Sequence, residues 1–554
     1  MIRNPILPGF NPDPSIVRVG EDYYVATSTF EWFPGVQIHH SRDLENWRLV
    51  ARPLDRASQL DLRGDPDGCG VWAPCLSHDG QRFHLVYTDV KRYGRTTTAG
   101  ASGASLRDFH NYLVTAETID GPWSDPVHLN SSGFDPSLFH DADGRKWLVN
   151  MLWDHRPGRN RFGGIVLQEY DPRARRLIGE RRLIFKGTPL GLTEAPHLYR
   201  RGDHYYLLTA EGGTGWNHAV TMARARSIEG PYELHPDVHI LSARDRPDAP
   251  LQRAGHADLV ETPAGETWMV YLCGRPLSNR GRCVMGRETA IQKMCWGADG
   301  WLRTEAGDGL PVVEAERGPS IDQREDFDAP GLAIDFQWLR TPEPEAIFSL
   351  SARPGHLRLY GRESIGSLFT QALVARRQQA FCYSAACAMD FDPAHYQQAA
   401  GLVCYYNAAK FHYLHVSHDE ALGRHIRVMS ALPDAPQADA FTAPVAIPPG
   451  RIELRCEVDY ERLRFAFRAE GQACWTWIPE IFDASILSDE ASAPGLPNFT
   501  GAFVGLACQD MAGTARPADF DWFAYRERDY AAGPTGLDWP AALSRLGAGP
   551  MLRA

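Results

Sequence analysis

Asp13-Pro14-Ser15-Ile16-Val17-Arg18-Val19-Gly20-Glu21-Asp22-Tyr23-Tyr24-Val25-Ala26 decides the fold. A polar residue and a proline lead into a short β-branched run. A turn signal follows, and an aromatic run closes the unit, which is the pattern of a β-hairpin. The same pattern returns from Trp72 (Trp72-Ala73-Pro74-Cys75-Leu76), Asp135 (Asp135-Pro136-Ser137-Leu138-Phe139), Glu194 (Glu194-Ala195-Pro196-His197-Leu198) and His256 (His256-Ala257-Asp258-Leu259-Val260). Each copy carries its own turn signal: Gly20-Glu21-Asp22, Asp79-Gly80, Asp143-Gly144, Gly202-Asp203 or Ala264-Gly265.

The five starts lie 59, 63, 59 and 62 residues apart. A period near sixty holds about four strands with their loops, and four strands repeated radially make a propeller blade. Five blades are therefore expected. In such a ring the innermost strands line the axis, so Asp13, Trp72, Asp135, Glu194 and His256 should converge at one end of the channel. A single Asp-Pro is ordinary turn chemistry. Turns do not explain acids at three of five repeat positions, because grouped buried acids are costly and perturb one another. Such groups persist where chemistry needs them.

Beyond about residue 300 the repeat fades. Residues 305–325 are rich in Glu, Gly, Pro and Asp and read as a linker. Alternating runs follow, among them 356–360, 401–406, 411–416, 451–458, 463–468 and 501–508. They point to a β-sandwich. One short helix is expected over 540–546. The predicted architecture is all-β: a five-bladed propeller over residues 1–315 and a sandwich over 322–554.

The bulk properties narrow the function. The chain has 554 residues, 44% hydrophobic and 23% charged, so folded domains and not disorder are expected. A net charge of −12 gives no electrostatic reason to bind nucleic acid or an anionic membrane, and a neutral substrate suits it better. No apolar run is long enough for a membrane helix. The 11 cysteines are odd in number and form no CxxC pair, so reduced buried thiols are expected over a disulfide framework or zinc site. With no secretory leader legible at the N-terminus, the expected location is the cytoplasm.

Six segments stand out: Phe10-Asn11-Pro12-Asp13-Pro14-Ser15, Val71-Trp72-Ala73-Pro74, Gly133-Phe134-Asp135-Pro136-Ser137, Thr193-Glu194-Ala195-Pro196-His197, Gly255-His256-Ala257-Asp258 and Gly286-Arg287-Glu288-Thr289. Together they resemble glycoside hydrolase family 43, and most closely its two-domain β-xylosidases. The second half matches through Asp326-Phe327-Asp328, 335–340 and 499–505. The resemblance implies an exo-acting, inverting 1,4-β-xylosidase that takes xylose from the non-reducing end of short xylooligosaccharides. It assigns Asp13 as general base, Glu194 as general acid and Asp135 as the acid that orients and tunes Glu194. It further implies that Phe30 and Trp72 wall the sugar pocket, that Arg287 bonds sugar hydroxyls and offsets the acids, and that His256 faces the axis. In parts of the family that histidine helps hold a calcium ion or water; elsewhere no metal is needed, and none is expected to be required here. Phe503, with Phe499 as its rival, is expected to reach from the sandwich and narrow the pocket. A homo-oligomer, dimer or tetramer, is expected. Two other readings stay open: an α-L-arabinofuranosidase or arabinanase using the same acids, and a lectin-like protein that binds sugar without cutting it.

Overall fold

The computed structural model describes residues 2–93, 106–313, 320–434, 439–491 and 498–528. The expected helix at 540–546 lies outside them. Within them there is no α-helix, only two 3-10 turns, at Pro344–Ala346 and Ala484–Ile486.

Five four-stranded antiparallel sheets fill the first three hundred residues. Their innermost strands are Ser15–Val19, Gly70–His78, Ser137–His140, Glu194–Arg201 and Gln252–Glu261. Each pairs with the next strand through the hairpin the repeat predicts, and Gly20, Gly80, Gly144, Gly202 and Gly265 all take positive φ in those hairpins. Hydrogen bonds tie neighbouring blades at the axis. Leu76 N donates to Ser15 Oγ (2.9 Å), Ser137 Oγ to the Pro196 carbonyl (2.5 Å), and Ile16 N to Asp258 Oδ2 (2.8 Å). The last of these joins the first blade to the fifth. The N-terminal segment seals the same seam, with Asn4 bonded through its side chain to both backbone groups of Ile291 and Leu7 bridged to Thr289.

The repeat has a register that sequence matching alone misses by one residue in two blades. Asp13, Ala73, Asp135, Ala195 and His256 all adopt left-handed backbone, with φ between 40° and 55°. That conformation is strained for residues other than glycine. Ala73 and Ala195 are therefore the structural counterparts of Asp13, Asp135 and His256. Trp72 and Glu194 each sit one residue earlier, so their side chains leave the strand at a different angle.

Two nine-stranded sheets pack as a sandwich, all but one of their strands coming from the second half, and the alternating runs of the sequence fall largely in those strands. Strand Asp322–Glu325, within the stretch read as a linker, already pairs with Pro517–Glu527 and belongs to the sandwich. The domains share core. Strand Trp32–Phe33, from the first-blade segment, pairs with Gln337–Leu339 at the edge of a sandwich sheet. Phe33 packs with Trp338, and Trp32 with Tyr405 and Phe503, inside clusters that cross the boundary. All 11 cysteines are unpaired, and nine are buried.

Candidate active site

At one end of the propeller axis lies a cavity of about 220 Å³. That is smaller than the roughly 300–1,000 Å³ of sites for drug-sized ligands, and it suits a single sugar ring. Asp13, Asp135 and Glu194 line it together with His256 and Arg287. Phe30, Trp72, Phe134 and Phe499 supply apolar walls, and Tyr93, Phe162, Leu192, Gly213, Thr214 and His218 complete it. Three acids from three blades thus share one small space, as the repeat predicts.

Asp13 is the most firmly held. Ser28 Oγ donates to its Oδ2 at 2.7 Å and Arg287 Nη1 to its Oδ1 at 3.0 Å. Ser28 is itself fixed, since its Oγ accepts from Ala73 N at 2.7 Å. The left-handed turn of the second blade therefore supports the acid of the first. Asp135 accepts from Ala195 N at 3.0 Å, so the turn of the fourth blade supports the acid of the third.

Glu194 differs. Its carboxyl takes no hydrogen bond from any described residue, yet the residue is only 8% exposed. Burial pushes its pKa well above the ordinary carboxylate range, and the neighbouring Asp135 and then Asp13 push further, against a smaller opposing effect of Arg287. Asp135 is also raised, by burial first and by Asp13 second. The backbone next to Glu194 is rigid. Glu211 accepts from Thr188 N, Thr193 Oγ1 and Thr221 Oγ1, at 2.7, 2.8 and 3.1 Å, and so pins the residue that precedes Glu194.

The walls are an aromatic cluster. The Trp72 ring meets Phe30, Phe134 and Phe499 at centroid distances of 5.5, 5.7 and 5.5 Å, and its Nε1 donates to the Gly68 carbonyl at 3.0 Å. Tilted and edge-on packing of this kind leaves ring faces available to a sugar's C–H groups. The Arg287 guanidinium lies 5.2 Å from the Phe30 centroid and 5.8 Å from that of Phe499.

The sandwich does enter the pocket, but through Phe499. Phe503 is fully buried in the strand Phe503–Asp510 and stacks on Trp32, with centroids 3.8 Å apart. Strand alternation placed its side chain in the shared core, whereas Phe499 precedes the strand on irregular chain. The expectation for Phe503 is therefore corrected in favour of its rival.

His256 sits 3.8 Å from Asp13, and burial depresses its pKa to about 4, so the imidazole is neutral at pH 7. Among the described residues no three His, Cys, Asp or Glu side chains converge to hold a metal ion.

Sequence reading missed Tyr93, Phe134, Phe162, Leu192, Gly213, Thr214 and His218. For the last three a signal existed: Gly212-Gly213-Thr214-Gly215-Trp216-Asn217-His218 is a glycine-rich loop directly after a strand. His218 Nδ1 donates to the Arg253 carbonyl at 3.0 Å, and its ring packs so closely on Gly255 that a Cβ there would lie 2.5 Å from it.

A five-bladed propeller with three acids at the axis and an aromatic pocket closed by a sandwich has the form of a glycoside hydrolase. Residues 2–302 match Glycosyl hydrolases family 43, and residues 324–526 match the β-xylosidase C-terminal concanavalin A-like domain. The chain belongs to glycoside hydrolase family 43. It is 55% identical over 536 residues to a xylosidase/arabinosidase 43B of Humicola insolens, covering 95% of this chain and 97% of that one. It is 49% identical to a β-xylosidase of Bacillus subtilis (strain 168), covering 95% and 100%. Among solved structures, the xylan β-1,4-xylosidase of Bacillus halodurans C-125 superposes with a TM-score of 0.90 at 48% identity, covering 95% of this chain and all of that one.

Proposed function

We propose that this enzyme is an exo-acting, inverting 1,4-β-xylosidase that releases xylose from the non-reducing end of short xylooligosaccharides. The observation that carries this is the meeting of Asp13, Asp135 and Glu194 in one small aromatic pocket, where burial and the neighbouring acids raise the Glu194 pKa. The xylosidase names of full-length relatives at about half identity support the substrate.

In this mechanism Glu194 gives its proton to the leaving glycosidic oxygen as the C1–O bond breaks. Asp13 takes a proton from a water that attacks C1 from the opposite face, so the product has inverted configuration. Burial first, and the nearby Asp135 second, raise the Glu194 pKa and so favour its proton-bearing form. Arg287 holds the Asp13 carboxylate in place and, with the neutral His256, faces the sugar. Trp72, Phe30 and Phe499 hold the ring. The chemistry as written uses no metal, and activity is expected to survive EDTA. A dimer or tetramer, to be checked by light scattering, and a reducing compartment suited to unpaired thiols complete the reading.

The test is Glu194→Gln, which keeps shape but cannot donate the proton. Turnover of xylobiose should vanish, and undiminished turnover would refute the assignment. Proton NMR of the first-formed sugar should show α-xylose; β-xylose appearing first rules out inversion. The relative named xylosidase/arabinosidase supports a second activity on α-L-arabinofuranosides. Rates on the two nitrophenyl glycosides, with xyloside the faster, measure it.

A further inference from the structure

Two walls of the pocket that come from different domains are tied to a single carboxylate outside it. Asp489, in the sandwich, is 8% exposed and does not line the cavity. Its Oδ2 accepts from Arg253 Nη2 at 2.9 Å, and its Oδ1 accepts from the Tyr406 hydroxyl at 2.5 Å.

Each partner leads to the pocket. Arg253 belongs to the fifth blade and donates from Nε to the Thr214 carbonyl at 2.7 Å, fixing the loop whose Gly213 and Thr214 line the cavity. The Arg253 carbonyl also receives His218. On the other side, the Tyr406 hydroxyl accepts from Thr500 N at 3.2 Å, and Thr500 Oγ1 donates to the Tyr406 carbonyl at 3.3 Å. Thr500 follows Phe499, whose carbonyl accepts from Arg287 Nη2 at 2.6 Å, and Arg287 holds Asp13. A chain of hydrogen bonds therefore runs from Thr214 through Arg253, Asp489 and Tyr406 to Thr500, and continues across the Phe499–Thr500 peptide to Arg287.

The supports around Asp489 are strong. Glu490 takes the second Arg253 nitrogen at 2.8 Å and also accepts from Cys283 N at 2.9 Å. Lys410 Nζ donates to the Ser488 carbonyl at 2.6 Å and lies 3.7 Å above the Tyr406 ring. Charge-assisted bonds in a buried setting are short and directional, so they set geometry as well as energy.

We propose that Asp489 is a positioning residue that sets the width of the sugar pocket by holding the Phe499 wall and the Gly213–Thr214 wall at a fixed separation across the domain boundary. This rests on the pocket's being the catalytic site. Because both walls meet the sugar, loosening them weakens substrate binding before it changes the acids.

The experiment compares Asp489→Asn, Tyr406→Phe, the double variant and Glu194→Gln, with xylobiose kinetics and thermal melting for each. Asp489→Asn keeps the shape and loses the charge. Its kcat/KM should fall about 10- to 100-fold, the scale of losses from misplacements near 1 Å, mainly through a higher KM. The shape of the pH profile should stay as in the parent. Tyr406→Phe cuts only the Thr500 arm and should show a smaller rise in KM, and the double variant should be no worse than Asp489→Asn alone. A lower kcat with unchanged KM, as expected when only the folded fraction drops, overturns the proposal, as do losses that simply add. If Asp489→Asn does not fold, an unchanged KM in Tyr406→Phe overturns it. Glu194→Gln separates the two readings. If it still turns over xylobiose, the catalytic assignment falls; if it is dead while Asp489→Asn keeps the parental KM, only the positioning role falls.

Discussion

Arg287 donates a guanidinium nitrogen to Asp13 at 3.0 Å, and both residues are at most 5% exposed. A second nitrogen of the same group reaches the Phe499 carbonyl. One side chain thus connects the proposed base to the wall supplied by the other domain. Lysine carries the charge but not the planar fork. Arg287→Lys should lose one of these bonds, worth about 1.5–3 kcal/mol, or roughly 10- to 100-fold in kcat/KM by steady-state kinetics. Arg287→Ala leaves Asp13 buried without its cation and should lower stability by about 3–5 kcal/mol in urea unfolding.

The pH profile should report Asp135. Burial is the main cause of the raised Glu194 pKa and Asp135 the next. Catalysis needs Glu194 protonated, so activity is lost as pH rises through its pKa. Asp135→Asn removes the neighbouring acid while its amide oxygen can still accept from Ala195 N. The Glu194 pKa should then fall, and the alkaline limb of kcat/KM should move to lower pH. An alkaline limb that stays in place contradicts the tuning role.

The two phenylalanines should separate function from stability. Phe499→Ala opens a wall of the pocket and should raise KM for xylobiose with little change in the melting temperature. Phe503→Ala removes a fully buried ring from its stack on Trp32 and should cost about 3–5 kcal/mol of stability, measured by denaturant unfolding.

Stability itself should depend on pH through Glu31. This residue is fully buried between pocket and sandwich, accepts from Gly68 N, and is held near Asp67 and Arg340. Burial first, and Asp67 second, raise its pKa from 4.5 to about 8. The folded state therefore binds the proton more tightly than the unfolded state. Its contribution is complete below pH 4.5 and is lost as pH rises through about 8. Glu31→Gln should flatten the decline in melting temperature across that window.

Gly255 should tolerate no side chain. A Cβ there would come within 2.5 Å of the His218 ring, which lines the pocket. Gly255→Ala should lower kcat/KM by displacing His218, with a smaller effect on the melting temperature.

Much of this was legible because repeats translate into space. Five hairpins with their turn glycines gave the propeller, and the position of each repeat gave the convergence of Asp13, Asp135 and Glu194. What sequence matching misplaced was the register at Trp72 and Glu194, because the left-handed backbone at Ala73 and Ala195 leaves no mark in residue type. Phe503 was misjudged for a related reason. A phenylalanine in a strand and one just before it look equal in sequence, and only the pleat decides which of them faces the core. Tyr93, Phe162 and Leu192 reach the pocket from loops and outer strands whose course no periodicity reports. The role of Asp489 was out of reach, since its partners Arg253 and Tyr406 lie 236 and 83 residues away along the chain.

Strand Trp32–Phe33 leaves the first blade to complete the edge of a sandwich sheet. Neither half is consequently a self-contained cassette. Cutting the chain between them would strip an edge strand from one piece, bare the Trp32 and Phe503 faces on both, and invite edge-to-edge association. Grafting the sandwich of a distant relative onto this propeller would demand that the donor reproduce that splice. The pair is therefore constrained to be inherited, and engineered, as one unit.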